Sequence, residues 1–199
     1  MDIAKAMENL KARGFDVSYF ETAAGAAEYI DGKVDGKSVG FGGSVTVRQL
    51  GLFRMLQRHN TVVDRTVVKD ENTALLFDRD AQVYISSVNG VSEDGRLVNI
   101  DGIGNRIANT LWGKEEVYFV VGINKFADTL DDAMWRARNI AAPKNARRLG
   151  RHTPCAVRAD RCYDCSAPER LCRGITIIER PLRGVGRYEI VVVNEELGY

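Results

Sequence analysis

The run EVYFVV at residues 116–121 constrains the fold more than any other segment of this chain. A strand with one wet face alternates polar and apolar residues, and this one does not, so both of its faces are expected to be buried, as in a parallel sheet covered on two sides. Further strand-like runs lie at 15–20 (FDVSYF), 38–41 (SVGF), 61–64 (TVVD), 82–86 (QVYIS), 96–100 (RLVNI), 175–179 (ITIIE) and 188–193 (YEIVVV). Helical patterns stand between them. Ile3, Met7 and Leu10 mark a helix stopping at Gly14, and Thr22 caps a second through Ala26, Tyr29 and Ile30 that ends near Gly32. Others are read over 45–59, weakly over 72–80, from Ile107 through Trp112, and over 131–140 with Met134, Ala137 and Ile140 on one face. Such alternation predicts an α/β fold, an open and mostly parallel twisted sheet with helices on both faces. The last two runs, separated by a turn with Pro181 and glycines, are expected to pair as sheet-edge strands.

At 199 residues the expectation is one domain over 1–199, with an irregular cysteine-bearing insert at 150–174. Its 28 basic and 27 acidic residues nearly cancel, which removes the electrostatic case for nucleic acid or an anionic membrane as partner. No apolar stretch approaches the roughly 20 residues of a membrane span, and the start lacks the basic and apolar regions of a signal peptide. A cytoplasmic location is expected.

The densest chemistry lies in SVNGVSEDGRLVNIDGIGNR, residues 87–106. Glu93-Asp94-Gly95 reads as a tight turn into RLVNI, and a glycine-bearing bend then opens a helix. Asn99 and Asp101 flank Ile100, so strand alternation aims both to one side, with Gly102 and Gly104 just beyond. Asn89, Asn99, Asp101, Gly102, Gly104, Asn105 and Arg106 are the expected ligand contacts. Glu93 and Asp101 are the candidate catalytic carboxylates, as base or covalent nucleophile. The alternative for the acidic turn is a solvated hairpin.

Gly42, Gly43 and Ser44 lie where a strand end meets a helix start, the place at which open α/β sheets bind ligands. They are expected either to hold an anion or simply to permit the turn, with Ser44 as helix cap. Asn124 and Lys125 follow EVYFVV and a Gly122 bend, again at a strand's carboxyl end. Lys144 and Asn145 follow a break expected at Pro143, and Arg147 and Arg148 supply further positive charge there or, equally well, form an ordinary basic helix face.

All four cysteines, Cys155, Cys162, Cys165 and Cys172, follow the pattern C-x6-C-x2-C-x6-C. Four thiolates so spaced can share a zinc ion or an iron–sulfur cluster, while reduced thiols in a loop, or disulfides formed on purification, remain alternatives. The spacing matches neither a ferredoxin run nor a zinc ribbon. His152 is near enough in sequence to be an alternate ligand.

The 87–106 segment, GFGGS at 40–44, IAAPKNARRL at 140–149, TPCAVRADRCYDCSAPERLC at 153–172 and the ending EELGY resemble the LUD family, within it the LutC/YkgG lactate-utilisation group. The resemblance runs nearly end to end. It implies a fold similar to the NagB/RpiA phosphosugar isomerases, CoA transferases and formyltetrahydrofolate cyclo-ligases, and a role in bacterial lactate or related organic-acid metabolism. Two readings stay open, since fold alone does not give function. One is a protein that binds an anionic metabolite or acyl-nucleotide in a strand-end cleft, with or without catalysis. The other is a non-catalytic or electron-transfer subunit that assembles with iron–sulfur oxidoreductase partners, as a monomer or homo-oligomer.

Overall fold

A computed structural model describes residues 1–63 and 70–199. Asp64, the end of the expected TVVD strand, lies outside the described residues. Six strands, β1 (Asp16–Phe20), β2 (Ser38–Phe41), β3 (Thr61–Val62), β4 (Val83–Ser86), β7 (Lys114–Gly122) and β10 (Val185–Val193), form the main sheet in the order β1-β10-β7-β4-β2-β3. Every pairing in it is parallel. A second sheet, in the order β8-β5-β6-β9, is built from β5 (Gly90–Ser92), β6 (Leu97–Asp101), β8 (Phe126–Ala127) and β9 (Gly174–Ile178).

The unbroken apolar runs are explained by burial on both faces of the main sheet. In β7, Val117, Phe119 and Val121 face one core with Tyr188, Ile190 and Val192 of β10, while Tyr118 and Val120 face another with Val191 and Val193. The second core is sealed by α2 (Ala23–Lys33), α3 (Val45–Gln49) and α4 (Leu52–Leu56), which contribute Ala26, Ile30, Val47 and Leu52. The first is closed by α1 (Ile3–Ala12) through Ala6 and Leu10, and also by the second sheet through Val91, Leu97 and Ile178. One face of the main sheet is thus covered by helices and the other by helix and sheet together. Burial of a Val, Ile or Phe stabilises by about 1.5–3 kcal/mol each, so these two cores are the main source of stability.

Four expectations are corrected. YEIVVV is interior: β10 lies between β1 and β7, and ITIIE pairs not with it but antiparallel with β6, at the edge of the other sheet. QVYIS and RLVNI, expected to be the two strands joined by the polar turn, lie in different sheets. The polar turn joins β6 instead to the short β5, and Gly95 adopts φ +85 there. The expected helix over 45–59 divides into α3 and α4 at Gly51, which takes a left-handed φ of +70. Finally, Pro143 breaks nothing. After α5 (Glu71–Asp80) and α6 (Asn105–Leu111), a rod runs through α7 (Leu130–Arg136), a π-helical turn Ala137–Ala141 and α8 (Ala142–Arg148). Pro143 occupies the first turn of α8, where a missing N–H is tolerated. A short α9 (Pro154–Arg158) follows.

Candidate functional site

Neighbouring parallel strands end on the same edge of a sheet, so the turns after β2, β4 and β7 emerge side by side. Gly43 and Ser44 follow β2, Ser87 to Asn89 follow β4, and Lys125 follows β7. All line one cavity of about 420 Å³. Its other walls are the bend after β6 with Asp101, Gly102, Asn105 and Arg106, the π turn and α8 with Ala141, Asn145 and Arg148, and the cysteine segment with Glu169, Arg170 and Arg173.

Charge in the cavity is one-sided. Arg106, Lys125, Arg148, Arg151, Arg170 and Arg173 line it against Asp101 and Glu169. Lys125 is only 4% exposed, and its Nζ donates to Thr46 Oγ1 and Ser87 Oγ, each at 2.7 Å. No carboxylate pairs with it among the described residues. Burial, reinforced by Arg136 and Arg106, lowers its pKa to about 7. Arg136 sits behind it, with Nε donating to Asn124 O at 2.8 Å and Nη1 to Asn89 O at 2.6 Å and Tyr199 O at 3.0 Å. Burial brings Arg136 down to about 10. Arg106 donates to Asn89 Oδ1 at 3.1 Å and to the Ile100 carbonyl, and burial lowers it as well. Together these guanidinium groups tie the turns after β4 and β7 to the end of β6 and to the segment at Tyr199.

Asp101 has both oxygens engaged, Oδ1 by Gly102 N at 2.7 Å and Oδ2 by Ile107 N at 3.0 Å. It holds the bend that starts α6, and Gly104 caps that helix at φ +94. Ser44 caps α3, accepting from Val47 N at 3.3 Å, and also lines the cavity. Asn145 accepts from Arg148 Nη2 at 2.7 Å and aims that guanidinium.

Of the expected contacts, Gly43, Ser44, Asn89, Asp101, Gly102, Asn105, Arg106, Lys125 and Asn145 come together at the cavity. Others do not. Glu93 is turned to the opposite end of the hairpin: its carboxylate meets Lys5 Nζ of α1 at 2.5 Å, which depresses its pKa, so it is a docking residue and not a cavity acid. Asn99 is buried in β6, and its amide has no hydrogen-bond partner among the described residues. Asn124 accepts from Leu197 N and holds the terminal segment. Gly42 packs against Ser86, where a Cβ would come within 2.5 Å of the hydroxyl, and Lys144 is exposed on α8. Thr46, Ser87, Arg148, Arg170 and Arg173 were not anticipated as contacts. Ser87 was legible, because it follows QVYIS at a strand's carboxyl end. Arg170 and Arg173 were not, because their positions depend on how the cysteine segment folds back.

The four cysteines are all free and half-buried, and together line a second, very small cavity beside the first. Their sulfurs make local hydrogen bonds, and among the described residues no three His, Cys, Asp or Glu side chains are grouped to hold a metal ion. His152 is exposed and contacts Glu169 instead. No described helix is long and apolar enough to cross a membrane.

The LUD domain family profile matches residues 3–193. A solved structure from Deinococcus radiodurans, a DUF162 family protein, superposes with a TM-score of 0.56 at 12% identity, covering 97% of this chain and 99% of that one. At that identity the likeness speaks for the fold. No curated protein matches.

Proposed function

This chain belongs to the LUD domain family, and from that premise we propose that it binds a small organic anion, a carboxylate or phosphate ester, in the strand-end cavity as part of lactate or related organic-acid metabolism. The observation that carries this reading is Lys125. A buried ammonium with two hydroxyl partners and no carboxylate is costly, and a ligand anion is the partner that would offset that cost. The surrounding arginines act in the same direction, and about 420 Å³ lies within the usual range for small-molecule sites.

The cavity does not favour chemistry through an acyl-carrying glutamate. Its two acids are Asp101, spent on backbone N–H groups, and Glu169, whose Oε2 accepts from His152 N at 2.9 Å. Lys125 is better placed to take or give a proton near neutrality, standing between Thr46 and Ser87.

Thermal denaturation against hydroxy acids, oxo acids, phosphosugars, nucleotides and CoA esters tests the reading. At least one anion should raise the midpoint in a concentration-dependent way, and the gain should vanish in Lys125→Met. If none does so at millimolar concentration, the reading fails.

A further inference from the structure

We propose that Cys155, Cys162, Cys165 and Cys172 together bind a single zinc ion, which fixes the segment walling the anion cavity. The first support is convergence. Spread over eighteen positions, these are all the cysteines of the chain, and every one lines the same cavity between α8, α9 and the following loop. No histidine, aspartate or glutamate lines it, so the donor set is thiol only, which selects a soft metal.

The second support is energetic. From 157 to 173 no residue is fully buried, and after α9 no helix or strand forms until β9 at Gly174. Ordering a residue's backbone opposes folding by about 1–2 kcal/mol, and this stretch has no apolar core of its own to offset it. A structural zinc supplies that free energy directly.

The third is charge. Residues 150–173 carry Arg151, Arg158, Arg161, Arg170 and Arg173 against Asp160, Asp164 and Glu169, a formal excess of two positive charges. On binding, each thiol releases its proton to solvent; four thiolates and one Zn2+ then carry two negative charges, which match that excess. Donors for the thiolates already stand at the sulfurs: Asp164 N and Arg170 Nη2 lie 3.3 Å from Cys162 Sγ and Cys172 Sγ, and Thr153 Oγ1 lies 3.3 Å from Cys155 Sγ. The sulfurs are not yet at ligand distance. Three of the four, Cys162, Cys165 and Cys172, lie between α9 and β9, where no helix or strand has to break for the sulfurs to gather to the roughly 2.3 Å of a zinc–sulfur bond.

Arg170 and Leu171 line both cavities, and Arg173 N donates to Asp101 O at 3.0 Å. The ion would therefore hold the arginine wall against the bend after β6, a consequence that rests on the anion-cavity reading.

Elemental analysis of the full chain, purified without chelator, should find one zinc per chain, lost in Cys162→Ser and Cys165→Ser. Cobalt exchanged into the wild-type protein should give thiolate-to-cobalt charge-transfer absorption and the intense visible bands of a tetrahedral ion, a readout that needs no variant to fold. Absence of stoichiometric metal, with all four thiols alkylating freely in the folded protein, overturns the proposal. Iron with inorganic sulfide overturns it equally. Anion stabilisation measured on the same samples separates the two readings: zinc without any stabilising anion sinks the cavity assignment alone, and a stabilising anion on metal-free protein with free thiols sinks the zinc assignment alone.

Discussion

Lys125 Nζ lies 2.7 Å from the Ser87 hydroxyl, although 38 residues separate them in the chain. They meet because β4 and β7 are adjacent parallel strands whose carboxyl ends open on the same edge. That contact joins the segments after two strands, and Thr46 adds the start of α3, the helix that follows a third.

Anion affinity should be highest below about pH 7 and weaken above it. In the free protein Lys125 gives up its proton around pH 7, so above that value binding an anion to the ammonium requires proton uptake. Linkage limits the loss to roughly tenfold per pH unit for one proton, until the raised pKa of the bound state is passed. Binding isotherms from pH 6 to pH 9 would show this, and a flat profile would remove Lys125 from the site.

Lys125→Met should abolish anion-dependent stabilisation without weakening the fold. The folded-state pKa lies below the unfolded value near 10.4, so the wild-type lysine destabilises most below pH 7 and progressively less as pH rises toward 10.4. An apolar side chain of similar length should therefore unfold at the same or a higher temperature at pH 6, by about 1 kcal/mol or more in stability. Calorimetry at pH 6 and pH 9 compares the two proteins.

Arg136→Ala should destabilise by about 3–5 kcal/mol, because the carbonyls of Asn89, Asn124 and Tyr199 lose their shared donor. Arg136→Lys should recover little of it, since an ammonium cannot reproduce the planar fork. Urea denaturation midpoints give the ranking.

His59 stands between Asp31 at 3.0 Å and Asp35 at 2.9 Å, and its hydrogen bonds to them raise its pKa above the ordinary histidine value. Its contribution is fully present below about pH 6.5 and is lost as pH rises through the folded-state value. His59→Gln should remove that part of the pH dependence of stability, which denaturation at pH 5.5 and pH 8.5 would reveal.

Strands and helices were legible where periodicity is a local property. EVYFVV, the Thr22 cap and the amphipathic first helix all stand where the residues place them. Position at a strand's carboxyl end was legible in the same way, and Gly43, Ser44, Asn89, Asp101 and Lys125, read from it, line one cavity. Local pattern could not tell an interior β10 from an edge strand, because a run buried on both faces looks the same whichever neighbours hydrogen-bond to it. Nor could it send Glu93 to Lys5, a pairing across 88 positions, or bring Arg148, Arg170 and Arg173 to one cavity.

The amino-acid sequence alone determined which segments are extended or helical, because side-chain spacing along a single element decides which of its faces can be buried. Tertiary structure alone decided which turns share a cavity and which charges remain there without a carboxylate, because both depend on contacts between residues far apart in the chain.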